Sequence, residues 1–319
     1  MMTTPVHSWP RLRDLLGYTR EDLERIAAKV ADYYNPGDVR SPGKSKWRHI
    51  DNPQPPLRPI QDAIVKRILR PILLPEMMCG SVVGRSPADA VRPHVGSRAV
   101  IAMDLRDCFH STSPHHVNRA LKQEVGCSRV IADLLTRLTT LHFGLPQGAP
   151  TSSYLANLAL LPAARTIKAM CDRAQLAVTF FVDDILISGE EPEAVVDGVI
   201  RELQTWGHGV RRRKLRRMGP KDERRALGLS FSSCVSYGRS QLSDLRKSIL
   251  MLASDPEAKS HQLRRAWGQI YHVRSVNRLQ GDRLLELATH LLPSEGVEDG
   301  QQPGAEWRSC RRHRWRDQR

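Results

Sequence analysis

Asp183 and Asp184 stand side by side in the run Val178-Thr-Phe-Phe-Val-Asp-Asp-Ile-Leu-Ile-Ser188, between two short stretches rich in β-branched and aromatic residues. Those stretches read as strands, with the acidic pair as the turn between them. Adjacent carboxylates repel each other. Held against apolar strands, their charge needs compensation of the kind that divalent cations with oxygen ligands supply. The chemistry implied is metal-assisted phosphoryl transfer, the work of a nucleotide polymerase. Taken alone, the dipeptide is more often a solvated hairpin tip, so other segments must decide.

Two do. Ala99-Val-Ile-Ala-Met-Asp104 reads as a buried strand ending in a third carboxylate, which would complete a site for two Mg²⁺ ions. Asp107, three residues on, is expected to face solvent, and Phe109 is either a core aromatic or a ring aimed at the site. Farther along, Leu141 to Ser153 crowds Pro, Gly, Gln and hydroxyl residues into a loop before a helical pattern. There Gly148 permits close backbone approach to a ligand, Gln147 offers a donor and an acceptor, and Ser152 or Ser153 is placed to cap the helix. Leu155, Leu158, Ala159, Ala163 and Ile167 recur at helical spacing and predict one buried face.

The Asp104 strand, Leu-Pro-Gln-Gly-Ala-Pro-Thr-Ser (145–152) and Phe-Val-Asp-Asp (181–184), in that order, resemble the palm motifs of reverse transcriptases, and the details look like the bacterial retron-type enzymes. Lys46 to Pro53 with Leu57, Ile60 and Gln61 is similar to the opening of the family's fingers. Gly84-Arg-Ser86 falls on its Gly-Arg-Ser turn, and Gly268 to Tyr271 with Val276-Asn277 looks like its thumb helix. The chain departs from the pattern in three places: Ala90-Val91 stand before His94 where the family has Asn-Ala, Ala226-Leu227 precede Gly228 in place of Val-Thr, and Phe181 replaces a more usual Tyr.

The resemblance implies an α+β, right-hand polymerase fold: fingers, a palm whose antiparallel sheet bears the catalytic Asp residues, and a helical thumb. The expected division is an N-terminal helical segment at 1–40, fingers at 41–98, palm at 99–235 with a fingers insertion at about 110–145, thumb at 236–292 and a basic tail at 293–319. It further implies that Asp104 and Asp183 hold two Mg²⁺ ions, with Mn²⁺ as an alternative, that Asp184 is a weaker ligand, and that the Leu105 carbonyl adds an oxygen. Phe109 would exclude the nucleotide 2′-hydroxyl by overlap, Gln147 and Gly148 would line the nucleotide pocket, Lys214 would protonate the leaving pyrophosphate, and Arg48, with Lys46, would hold the triphosphate.

Composition agrees with a polyanionic partner. The 319 residues carry 49 Lys plus Arg against 34 Asp plus Glu, a formal charge of +15. Arg211, Arg212, Arg213, Lys214, Arg216 and Arg217 form a basic cluster that, with Tyr271 and Arg274, is assigned to RNA. The tail from Arg308 to Arg319, with Trp307 and Trp315 nearby, is either a stacking, phosphate-binding arm or a solubilising end. Cys79, Cys108, Cys127, Cys171, Cys234 and Cys310 lack Cys-x-x-Cys spacing and read as reduced thiols of a cytoplasmic protein, and Cys310 with His313 lacks the second pair that zinc would need. No apolar run is long enough to span a bilayer, so no membrane partner is expected.

Elsewhere, Thr19 and Asp22 cap a helix running through Val30 to a stop at Asn35-Pro-Gly37, residues 36–56 read as an extended connection, and His115 and His116 read as surface residues after a turn at Pro114. Helical patterns fall around 60–75, 115–140, 155–172, 192–206, 241–253 and 260–275. The function this implies is RNA-directed DNA polymerisation by a retron enzyme. A cognate structured non-coding RNA would serve as template and primer, deoxynucleoside triphosphates as substrate, and a branched, RNA-linked single-stranded DNA as product, in antiphage defence beside an effector protein. The alternatives are another defence-associated or group II intron-like reverse transcriptase, and an RNA-binding scaffold with a polymerase fold.

Overall fold

The computed structural model describes residues 5–40, 47–255 and 259–292 as a mixed α/β protein. The described residues divide into two compact units, one of those up to 86 and from 97 to 219, the other of 87–96 and those from 220 on.

The first unit opens with α1 (Trp9–Leu16) and α2 (Arg20–Ala28), whose first turns are capped by the side chains of Ser8 and Thr19. A hairpin of β1 (Tyr34–Arg40) and β2 (Trp47–Pro53) leads into α3 (Leu57–Ile64), which buries Leu57, Ile60 and Ile64 at helical spacing. Beyond α4 (Pro87–Val91), which belongs to the second unit, comes β3 (Ala99–Asp104), five buried residues ending on a half-buried acid. The short α5 (Cys108–Ser111), then α6 (Pro114–Gln123), α7 (Arg129–Thr139) and the 22-residue α8 (Ser152–Arg173) follow. The strands β4 (Ala177–Phe181), β5 (Asp184–Gly189) and β6 (Arg216–Met218), with α9 (Val196–Thr205) between the last two, complete an antiparallel sheet in the order β4-β5-β3-β6.

Strand β3 lies inside this sheet, with β5 on one side and β6 on the other, so its apolar run is buried on both faces. Ile101, Met103, Phe180, Ile185 and Ile187 share one core with Leu155, Leu158, Ala163 and Ile167 of α8. Each large side chain so buried contributes roughly 1.5–3 kcal/mol, so the sheet is held from beneath by the helix that follows the Pro-Gly loop.

In the second unit, β7 (Arg225–Ala226) pairs with β8 (Leu229–Ser230), and α10 (Arg239–Ala253), α11 (Ser260–Val276) and α12 (Arg278–Leu291) bury Ile249, Ile270, Val273, Leu284 and Ala288 in a core of their own. A Cβ on Gly281 would stand 2.2 Å from the Arg274 Cα, so glycine is what lets α11 and α12 approach there.

Several local expectations are corrected. Helix α2 stops at Ala28 and a 3-10 turn covers Val30–Tyr33, while Asn35 to Gly37 lie within β1. The stretch 36–56 is therefore a ladder-paired hairpin and not a plain connection. Thr151, and not Ser152 or Ser153, is the N-cap residue of α8; it makes no side-chain cap bond, and Ser152 Oγ donates to the Pro146 carbonyl at 2.6 Å. Pro114 is the first residue of α6 and not a turn. His116 closes a capping box with Ser113 and is half-buried, leaving only His115 exposed. Helices α1 and α12 were absent from the predicted patterns.

Candidate active site

The pairing of β3 with β5 sets Asp104 opposite Asp184, although 79 positions separate them in the chain. Phe181 pairs with Asp184, so the hairpin loop is Val182-Asp183 and Asp184 opens β5. This shifts the turn by one residue from the predicted acidic pair: the loop has two residues either way, and the pairing of Phe181 with Asp184 sets which two. Val182 takes a φ of 57°, a left-handed conformation that a β-branched residue adopts only under constraint.

The constraint is visible. Phe180 N–H donates to Met77 O at 2.8 Å and Cys79 N–H donates to Phe180 O at 2.7 Å, laying residues 77–80 along the hairpin. A Cβ on Gly80 would fall 2.4 Å from the Val182 nitrogen. From α8, buried Asn157 donates Nδ2–H to the Gly80 carbonyl at 2.6 Å. On the other flank, Leu105 N–H donates to Asp183 O at 2.8 Å and Arg211 N–H to Asp104 O at 2.9 Å.

Charge is concentrated here. Burial, then the carboxylates of Asp183 and Asp104, push the Asp184 carboxyl up to about 6, against the pull of Lys214 and Arg216. Burial also raises Asp183, with Asp104 adding to it. Asp104, its side chain only 14 % exposed, meets Lys214 Nζ at 2.8 Å through Oδ2 and Arg211 Nε at 3.4 Å through Oδ1. The Arg211 contact lacks hydrogen-bond geometry, and Asp104 Oδ1 is a buried acceptor with no hydrogen-bond partner. Arg211 also pairs with Asp107, an exposed residue held at φ 46°.

Among the described residues, no group of three or more His, Cys, Asp or Glu side chains is arranged as a ready metal cage. The donor chemistry nevertheless fits hard divalent cations: Asp104 stands opposite Asp184 with Asp183 next to it, Asp104 carries an unsatisfied buried oxygen, and burial, then neighbouring carboxylates, raise the carboxyls of Asp183 and Asp184.

Residues 37–231 match the family model described as reverse transcriptase (RNA-dependent DNA polymerase). The chain belongs to that family. This reverse transcriptase is 26% identical to the retron Ec86 reverse transcriptase of Escherichia coli over 88% of its own length and 89% of the relative's. To the retron Se72 reverse transcriptase of Salmonella heidelberg it is 31% identical over 59% of its length, spanning half of that protein. A structure of telomerase from Candida albicans with a fragment of telomeric RNA covers 84% of the chain and is itself covered to 59%, with a TM-score of 0.47 and 10% identity.

The other predicted site residues of this reverse transcriptase lie on several elements of the two units. Lys214 ends a 3-10 turn (Arg212–Lys214) and contacts Asp104 directly. Phe109 is half-buried on α5, and its carbonyl accepts from Leu145 N–H at 2.9 Å. Gly148, at φ 120°, lies against Ile50, while the Gln147 carbonyl accepts from Asp51 N–H at 2.8 Å, tying the Pro-Gly loop to β2. Arg48 is an exposed residue of β2, and Lys46 lies outside the described residues. Arg212, Arg213 and Arg216 are exposed, whereas Arg217 pairs with Glu193. Tyr271 and Arg274 sit on α11 in the other unit, where Arg274 pairs with Asp282 at 2.6 Å.

Sequence reasoning missed Gly80, Asn157 and the Arg211–Asp107 pair. Only the contrast of a lone Asn inside an apolar helical face hinted at any of them. The five described cysteines are free thiols, and no described helix is long and apolar enough to cross a membrane. The expectations for Trp307, Cys310, His313, Trp315 and the Arg-rich tail fall outside the described residues.

Proposed function

We propose that this chain is the RNA-directed DNA polymerase of a retron, extending a primer hydroxyl with deoxynucleotides along a cognate structured RNA. The observation that carries the reading is the β3–β5 register, which brings Asp104 against Asp184 with Asp183 beside them. Similarity to retron enzymes over most of the chain supports the narrower assignment. In this reading the RNA supplies template and primer, the product is a branched RNA-linked single-stranded DNA, and the unit acts in cytoplasmic antiphage defence beside an effector protein. Residues 41–98 serve as fingers, 99–235 as palm and 236–292 as thumb.

Asp104, Asp183 and Asp184, with the Leu105 carbonyl, would hold two Mg²⁺ ions, which when bound would supply charge neutralisation for the phosphoryl transfer. Arg48 meets the triphosphate, Gln147 and Gly148 shape the nucleotide pocket, and Phe109 lies under the sugar and admits deoxyribose. Lys214, already within hydrogen-bond reach of Asp104, gives its proton to the departing pyrophosphate.

The test combines the purified protein, its co-purified RNA, Mg²⁺ and labelled deoxynucleotides. Incorporation is expected for the parent and should fall by roughly a thousandfold or more in Asp183→Asn. Tight RNA binding without incorporation under any metal would leave only the scaffold function. Sequencing the linked product decides between a retron and another reverse transcriptase.

A further inference from the structure

We infer that the turn at His142-Phe143, with the cavity beside it, seats one unpaired base of the RNA strand being copied. The inference rests on the reading above that the chain copies RNA. Leu141 and Gly144 exchange backbone hydrogen bonds at 2.9 Å in both directions, closing a two-residue loop. Both loop residues are left-handed, His142 at φ 46° and Phe143 at φ 64°. Asn-Gly is the pair such a loop prefers, because other side chains are strained there.

Phe143 gains no packing in return. It is 87 % exposed, the most exposed large apolar side chain among the described residues. Strain spent on presenting a ring to solvent, where the fold gains nothing from it, points to an external partner for that ring.

The turn is also fixed rather than loose. A Cβ on Gly144 would lie 2.6 Å from the His110 carbonyl oxygen, so the base of the turn presses flat on α5. The next residue, Leu145, bonds to the carbonyl of Phe109, and Gln147 bonds to Asp51. The ring is therefore indexed to the two residues assigned to the nucleotide pocket.

Beside it lies a cavity of about 240 Å³, lined by Tyr34, His49, Asp51, His110, His142 and Pro146 among others. His49 reaches Asp51 through Nε2 and Asp38 through Nδ1, each at 3.3 Å. With His49 and Asp51 paired to each other, the imidazoles of His110 and His142 and the phenol of Tyr34 offer donors and acceptors for the edge of a planar heterocycle, and the neighbouring ring offers a face on which to stack it. A chain of net charge +15 favours a nucleic-acid strand over an acidic protein surface as the source of that heterocycle only when an aromatic platform is present, as it is here.

The experiment measures fluorescence-anisotropy affinities of the full chain for two RNA template–DNA primer hybrids, one with a single-stranded RNA overhang ahead of the primer end and one flush. Phe143→Ala should weaken binding to the overhang hybrid about ten-fold while changing the flush hybrid less than about two-fold, and Phe143→Tyr should restore the parent value. Equal losses on both hybrids, no loss on either, or a tyrosine variant as weak as alanine would overturn the base seat. Because the readout is binding, a parent protein that holds both hybrids but never extends a primer would count against the polymerase reading and leave this contrast decisive.

Discussion

Lys214 occupies a position where one side chain serves two states. Its ammonium lies 2.8 Å from Asp104 Oδ2 and offsets part of the local negative charge. In the proposed reaction the same ammonium would donate the proton to pyrophosphate, from the segment that Arg211 N–H ties to the Asp104 carbonyl. The two roles separate experimentally. Lys214→Ala should lower kcat for incorporation by about 10²–10⁴-fold, the usual range for a positioned general acid. Lys214→Arg keeps the charge but not the transferable proton, so it should recover nucleotide affinity without recovering kcat. A variant whose KM rises while kcat stays at the parent value would reduce Lys214 to an electrostatic tether.

At the scale of the elements, the hairpin that carries Asp183 depends on three pieces distant in sequence: its own two strands, the 77–80 segment and Asn157 of α8. Gly80→Ala would force a methyl to within 2.4 Å of the Val182 backbone nitrogen, which no side-chain motion can relieve. The expected result is destabilisation of about 1–3 kcal/mol in thermal or urea unfolding, and a larger loss of incorporation than of RNA binding. Unchanged activity would mean that the hairpin keeps its shape without this wedge. Much of the arrangement was legible beforehand, because alternation and apolar runs reveal strands, and because an acid at the end of a buried run reveals Asp104. The turn position was not, since Val182 is a residue type that avoids left-handed φ and only the closed ladder forces it there. Nor was Gly80, whose requirement is a contact with residue 182 and leaves no local periodicity to read.

For the molecule as a whole, charge and burial set how it responds to its solvent. His208 is buried in the first unit, and burial, with His116 adding to it, lowers its ring to about 4 from an ordinary 6.5. A depressed histidine means that the unfolded chain binds a proton the native one refuses, so stability is whole above about pH 6.5 and drains as pH falls toward 4. The expected contribution of His208 to the loss is about 2 kcal/mol between pH 6.5 and about pH 5, read from urea midpoints as the difference between the parent and His208→Gln. Nucleic-acid binding answers to the exposed cations instead. Of the basic cluster, Arg211, Lys214 and Arg217 are engaged by Asp104, Asp107 and Glu193, while Arg212, Arg213 and Arg216 carry no ion pair among the described residues. Counterion release should therefore be carried by the second group. Replacing Arg212 and Arg213 together by Ala is expected to weaken RNA binding uniformly across sequences and to lower the slope of log K against log salt by about 2, whereas Arg217→Ala should change it by less than about 1. A slope change of a full unit in Arg217→Ala, half that of the double variant, would mean that the ion pair with Glu193 opens on binding, and that all of these arginines reach phosphate alike.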